Sequence, residues 1–163
     1  MKEMQVRGSG ILLPIFSLPS PYGIGTMGSE AKRFVDFLEK AGQTYWQILP
    51  VGQTSYGDSP YQSFSVHAGN PYFIDLDILK EDGLLERYEY KYGYWGEKVD
   101  SIDYALLYKK RYDVLRTAFG RFNRDEEAFK TFLLKEAEWI YDYGLFMSLK
   151  MEHDGEGWYN WED

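Results

Sequence analysis

The residues "GIGTMG", Gly23 to Gly28, fit the G-x-G-x-x-G pattern with which a strand-to-helix turn cradles a pyrophosphate. Two features oppose that use. "SLPSPY", with two prolines, separates the pattern from the strand before it, and the acidic residue expected about 20 positions on is missing from "QILPVGQ" at the end of the next strand. The glycines then serve a tight loop that lets a helix N-terminus approach its neighbours. Metal and nucleophilic chemistry has less to work with: His67 and His153 are far apart, there is no cysteine, and "HDGEG" at 153 to 157 lacks the spacing of a calcium loop. Asp75 and Asp77 in "FIDLDIL" have the types of an acid and base pair, but their setting is that of turn and cap residues.

A different chemistry is offered by "YGDSPYQSFSVHAGNP", residues 56 to 71, where Tyr56, Tyr61 and Phe64 sit among prolines, glycines and small polar residues. Such a loop cannot easily bury three rings. Tyrosine presents an apolar face with a polar edge, and Ser59, Gln62, Ser63 and Asn70 add hydrogen-bonding groups beside it. A polyol held by stacking and hydrogen bonds is the best chemical match; a loop whose rings pack on later helices is the competing reading.

The elements that must position this loop follow from periodicity. After Arg7, "GILLPIF" reads as a buried strand over about 10 to 15, then comes a proline-rich loop. A helix follows, with Ser29 as its cap, Glu30 in the first turn, and Ala31, Phe34, Val35, Leu38 and Ala41 at helical spacing until Gly42. "TYWQILP", residues 44 to 50, is a second short strand, stopped by Pro50. Strand, helix, strand predicts parallel neighbours joined by a right-handed crossover. The ligand-bearing edge of such a unit is the C-terminal end of its strands, so the loops after both strands meet on one face.

Beyond Pro71, "YFIDLDILKEDGLL" predicts an extended piece and a helical turn, and "YEYKYGYWGEKVD" is irregular and rich in aromatics. Two amphipathic helices close the chain. The first is capped by Ser101, striped by Leu107, Val114, Leu115 and Ala118 and stopped at Gly120; the second is capped by Asp125, repeats Phe129, Leu133, Ala137 and Ile140 inward, and continues through Gly144. Two strands and three long helices close no common architecture. The chain reads as the start of something larger, with strand and helix faces meant for absent neighbours; a truncated or incomplete product is expected to self-associate through those apolar faces.

At 163 residues, one domain or part of a larger one is expected. The net charge of −8 and the absence of any Lys/Arg stripe speak against nucleic acid, no run is long enough to cross a bilayer, and the opening residues lack the pattern of a secretory leader, so the cytoplasm is the expected setting. Aromatic residues make up 18% of the chain, with 15 Tyr beside 10 Phe and 5 Trp, which suits either sugar-binding surfaces or extra packing.

The run from "RGSGILLPIFSLPSPYGIGTMGSEAKRFVDFLEKAGQTYWQILPVGQTSYGDSPYQSFSVHAGNPYFIDLDIL", followed by "IDYALLYKKRYDVLRTAF" and "DYGLFMSLKMEHDGEGWYNWED", resembles the N-terminal part of the 4-alpha-glucanotransferases, the amylomaltases or disproportionating enzymes. "GDSPYQS" and "AGNP" are its most specific parts. The resemblance implies an α/β fold: the start of a (β/α)8 barrel, first two strands and first helix, plus a mainly helical inserted subdomain, so that the barrel is incomplete in this chain. Residues 1–50 would be the first βαβ unit of the catalytic barrel, and 51–163 the substrate-binding loop and the inserted subdomain.

Such enzymes transfer α-1,4-glucan segments between maltooligosaccharides with retention, through a covalent aspartate intermediate and without cofactor or metal. The resemblance places the nucleophile, the general acid/base and the stabilising aspartate on later strands, so no catalytic residue is expected here. What carries over is substrate binding. Tyr61 matches the ring that stacks on the sugar next to the cleaved bond, Ser59 a hydroxyl lining the same cleft, Tyr56 a tyrosine of a second glucan site outside it, and Tyr104 in "IDY" its partner there. Where the family more often has proline, glycine and phenylalanine, this chain has Gln53, Ser55 and His67. Two other readings are a stand-alone, non-catalytic glucan-binding module and a dinucleotide-dependent oxidoreductase built on "GIGTMG".

Overall fold

A computed structural model describes residues 7–54, 57–97 and 100–161. Strands β1 (Gly10–Leu12) and β2 (Tyr45–Gln47) pair in parallel on either side of helix α1 (Ser29–Lys40) in sequence, with Ile11 opposite Trp46. This is the strand, helix, strand unit that the apolar spacing predicts. Both strands are shorter than expected. Pro14 has no N–H to give a ladder, and Ile15–Ser17 coil into a 3-10 turn that buries Ile15 and then Leu18. Past the ladder, Leu13 N donates to Gln47 O at 3.0 Å and the Trp46 indole donates to Leu13 O at 2.8 Å, so the two segments stay tied.

Helix α1 meets β2 through Phe34, whose ring lies edge-on to Trp46 with centroids 5.0 Å apart. Ser29 is not its cap. Gly28 holds that position without a side-chain bond, and Ser29 is the first helical residue. The cap position admits no side chain, because a Cβ on Gly28 would collide with the carboxylate of Asp75. Leu38 is buried, whereas Val35 and Phe37 on the helix and Ile11, Leu12 and Tyr45 on the strands are exposed. The expected open apolar faces are therefore present on β1, α1 and β2.

Most of the core lies outside this unit. Ile15, Leu18, Tyr22 and Ile24 from the loop after β1 pack with Tyr72, Phe73, Leu76, Leu85, Tyr90 and Trp95, and with Leu107 and Ala118 of helix α4 (Tyr104–Arg121). The aromatic-rich segment that looks irregular in sequence thus supplies core rings. Between Pro71 and α4 run helix α2 (Leu76–Glu81) and the single turn α3 (Arg87–Tyr90), where Glu86 N donates to Glu89 at 2.7 Å. Asp103, not Ser101, caps α4 by accepting from Leu106 N at 2.9 Å, and the helix passes through Gly120 to Arg121.

The expected second long helix is two helices, α5 (Glu127–Lys135) and α6 (Ile140–Glu152), and Gly144 lies inside α6 as expected. Asp125 does not cap α5; it faces Lys130 at 3.2 Å instead, and Glu126 stands at the cap position. At the break, the Trp139 indole donates to the Glu136 carboxylate at 2.7 Å and its ring stacks on His67 at 5.4 Å. An apolar repeat cannot reveal such a bond.

The chain divides into two compact units. One comprises residues up to Phe64 with Gly69–Phe122, the other Ser65–Ala68 with residues from Asn123 on. The second is held by ring contacts: His67 on Trp139, Trp139 near Tyr143 at 6.0 Å, and His153 on Trp161 at 4.9 Å.

Within the first unit, Arg121 closes α4 onto α3 with a two-pronged ion pair to Glu89 at 2.6 and 2.7 Å. These bonds, then the Glu86 N–H, hold the Glu89 carboxyl at about 2, below the usual glutamate value of 4.5. A depressed carboxylate stabilises the fold above its unfolded value and loses that contribution as pH falls. Thermal unfolding followed by circular dichroism should therefore show the parent more stable than Glu89→Gln at neutral pH, with the difference shrinking between pH 4.5 and about 2. A difference independent of pH would remove this ion pair from the acid response.

Candidate functional site

The glycines of "GIGTMG" are filled from within the chain. A Cβ on Gly23 would meet the Trp95 carbonyl, one on Gly25 the Ile15 carbonyl and the Leu18 backbone, and one on Gly28 the Asp75 carboxylate. Asp75 Oδ1 accepts from Asp77 N and Ile78 N at 2.9 and 3.0 Å, capping α2, and its Oδ2 accepts from the Thr26 hydroxyl at 2.5 Å. A carboxylate thus stands where a dinucleotide would need its phosphate, at the start of α1. The oxidoreductase reading fails on this placement.

Asp77 is equally committed. It accepts from the Tyr22 hydroxyl at 2.9 Å and the Tyr90 hydroxyl at 2.7 Å, and the two rings meet edge to face at 5.3 Å. Burial, then the bonds to Asp77, push both phenol groups far above their ordinary value. Asp75 and Asp77 are the cap and turn residues the sequence suggests.

The loops leaving the two strands do meet. Met27 N of the first loop donates at 2.9 Å to Phe73 O, just past the second loop, and Asn70 N donates to Val51 O at 2.7 Å across the base of the second loop. Between them lies an open, mainly apolar depression of about 280 Å³ lined by Met27, Val51, Gly69, Asn70, Phe73, Ile74 and Asp75. The loop after β2 is narrowed by antiparallel bridges, Gly52 with Gly69 and Thr54 with Ser63. Asn70 anchors its far end by accepting from Tyr72 N at 3.0 Å.

At the tip, Ser59-Pro60-Tyr61-Gln62 forms a turn in which Gln62 N donates to Ser59 O at 3.1 Å, with proline at the position where its fixed φ suits a turn. Ser59 Oγ accepts from Tyr61 N at 3.4 Å. The Tyr61 ring is 73% exposed, so the turn presents it to solvent, with the Ser59 hydroxyl two residues away. Phe64 is half-buried. Tyr56 lies outside the described residues.

Tyr104 opens α4 and is half-buried, its ring 6.4 Å from that of Tyr72; Tyr72 also packs 5.7 Å from Tyr112, whose hydroxyl accepts from Gln53 Nε2 at 2.9 Å. Burial raises the Tyr104 and Tyr72 hydroxyls above their ordinary value, and the charge of Asp58 adds to both. Ser59 and Tyr61 thus share a turn, while Tyr104 belongs to a ring cluster with Tyr72 and Tyr112, near Asp58. Sequence reading missed the last three. A signal was present: Tyr104, Tyr108 and Tyr112 recur every fourth residue, which places them on one face of α4. His67, which stands far from His153 in sequence, is exposed and stacked on Trp139. Among the described residues no group of three or more His, Cys, Asp or Glu could hold a metal, and no helix is long and apolar enough to cross a membrane.

Parallel strands bridged by a helix, with ring-bearing loops gathered beyond their C-terminal ends, define an α/β segment with a loop-built site. Residues 13–163 match the sequence profile of the 4-alpha-glucanotransferase family, glycoside hydrolase family 77, and the chain belongs to that family. It is 55% identical over 148 residues to the 4-alpha-glucanotransferase of Clostridium butyricum, covering 90% of this chain and 30% of that protein. To the Thermus thermophilus 4-alpha-glucanotransferase it is 47% identical over 160 residues, covering 95% of this chain and 31% of the relative. The amylomaltase from Streptococcus agalactiae, solved in complex with acarbose, superposes with a TM-score of 0.90 at 43% identity, over 97% of this chain and 32% of that one. The chain spans about a third of the length of these relatives and corresponds to their N-terminal part.

The close approach at Gly25 yields a test. Gly25→Ala should cost about 1–3 kcal/mol of stability in urea unfolding, because its methyl group would enter the Ile15 carbonyl. A loss under about 0.5 kcal/mol, the range of an unconstrained surface site, would show that the loop has room.

Proposed function

We propose that this chain is the N-terminal part of a 4-alpha-glucanotransferase, an enzyme transferring α-1,4-glucan segments between maltooligosaccharides with retention, and that it shapes the glucan-binding cleft. The observation that carries the reading is Tyr61, an exposed ring raised on a proline turn with the Ser59 hydroxyl beside it, in the loop that follows β2. A pyranose has an apolar face for the ring and hydroxyls at its edge for Ser59. Tyr104, with Tyr56 as its partner, is assigned to a second glucan site outside the cleft. The S. agalactiae amylomaltase, solved with acarbose, supports glucan as the ligand class.

In this reading, residues 1–50 form the first βαβ unit of a (β/α)8 barrel, and 51–163 the substrate loop and a mainly helical insertion. The exposed Ile11, Leu12, Val35 and Phe37 are then surfaces for further barrel elements, and would drive self-association of the chain by itself. The reaction needs no cofactor, and the setting is cytoplasmic. The resemblance assigns the reacting carboxylates to later strands, so binding and positioning of the sugar are what these residues contribute.

Two measurements test this. Isothermal titration with maltoheptaose should show binding that weakens about 3- to 10-fold in Tyr61→Ala, the worth of one stacked ring, while the thermal midpoint stays unchanged because the ring is exposed. Equal affinity in the variant would remove Tyr61 from the site. Incubated with maltotriose, the 163-residue chain should release no glucose; release would contradict the assignment of the catalytic carboxylates to later strands.

A further inference from the structure

Arg111, midway along α4, has none of its surface exposed, and among the described residues it is the one charged side chain that is fully buried. Its Nη2 donates to the Tyr72 carbonyl at 3.1 Å and the Ile74 carbonyl at 2.5 Å. Among the described residues Nε and Nη1 have no hydrogen-bond partner, and the Trp95 ring lies 5.8 Å from the guanidinium carbon. Burial lowers the guanidinium to about 10, with the charge of Asp75 working against that, so it remains cationic at neutral pH.

A buried cation without a paired anion is costly, and an apolar side chain of similar volume at such a place is often neutral or stabilising. What arginine adds here is direction. It draws two carbonyls, two residues apart, onto a single nitrogen. Those carbonyls belong to the segment Asn70–Asp75, whose other bonds run to the loops of both strands. Asn70 N reaches Val51 O, Phe73 O receives Met27 N, and the Tyr72 ring packs on Tyr112, which takes the Gln53 amide. Gly52 and Gly69 then pair at the base of the loop, and Thr54 and Ser63 pair nearer its tip.

We propose that Arg111 is a positioning residue for the glucan loop, fixing through the Tyr72 and Ile74 carbonyls the base on which the Ser59–Gln62 turn stands and so placing Tyr61. The glucan part of this inference rests on the reading given under Proposed function. Arg111 does not touch the sugar. It acts through backbone, which separates its effect from that of an ordinary core residue.

The test compares the parent with Arg111→Met, which keeps volume without donors, and Arg111→Lys, which keeps charge and donors. Amide hydrogen exchange without sugar should accelerate on the order of tenfold at residues 51–54 and 69–74 in Arg111→Met, while α1 exchanges as in the parent, and Arg111→Lys should restore most of the protection. Maltoheptaose affinity should fall with the loop's protection and recover with lysine. Unchanged exchange in Arg111→Met overturns the proposal, as does uniform acceleration through the first unit that lysine fails to correct. If Arg111→Met does not fold, Arg111→Gln decides: acceleration confined to 51–54 and 69–74 supports the hold, and unchanged or uniformly faster exchange overturns it. Should the loop loosen as expected while the parent itself binds no maltoheptaose, Arg111's hold on the loop stands and the glucan reading falls.

Discussion

The Asp75 carboxylate is the constraint on which the site's architecture turns. One oxygen caps α2, the other takes the Thr26 hydroxyl, and its bulk leaves room only for glycine at the start of α1. The loop after β1 is thereby held against the segment that ends the loop after β2. Were this acid absent, the N-terminus of α1 would be open to an anion, and "GIGTMG" would keep the chemical meaning its pattern suggests. With it, the loop glycines become packing residues and the anion is supplied internally.

From that junction the aromatic residues divide by environment. Tyr22 and Tyr90 are buried with their hydroxyls on Asp77, and Trp95 is buried with its indole donating to Tyr90 O at 2.9 Å. Each polar tip is satisfied, as burial requires. Tyr61 is different, because the turn that carries it directs the ring outward. A high tyrosine content therefore has two causes here, and only position tells them apart. Packing accounts for the rings of "YEYKYGYW" that enter the core, and exposure on a rigid turn marks the ring proposed to meet a sugar.

The βαβ unit was legible because its signals are local: Phe34 and Leu38 at helical spacing, a stop at Gly42, and short apolar runs on either side. Caps were read one or two residues out of place, since Ser29, Ser101 and Asp125 have the right chemistry, but contacts distant in sequence decide which residue is used. Asp75 lies 46 positions from Ser29, a separation that no window of periodicity spans. At the break between α5 and α6, Trp139 stacks on His67, a contact across 72 positions that periodicity does not span either. In the loop after β2, the exposed turn carrying Ser59 and Tyr61 was readable from the proline and small polar residues of "DSPYQ", whereas the cluster of Tyr72, Tyr112 and Gln53 was not, although the four-residue repeat of tyrosines in α4 pointed to part of it. Arg111 was hidden inside the basic run "KKRY", because the two carbonyls it meets lie 37 and 39 positions away.

The central claim is that the Tyr61 ring faces a sugar. Its most direct test is an NMR measurement of intermolecular Overhauser effects between maltotetraose and the tyrosine rings, with Tyr61 assigned by its loss in Tyr61→Phe or Tyr61→Ala samples. The account predicts cross-peaks from the Tyr61 ring protons to the carbon-bound protons of one glucose face. Cross-peaks confined to other exposed rings, such as Tyr88, Tyr92 or Tyr159, would contradict it.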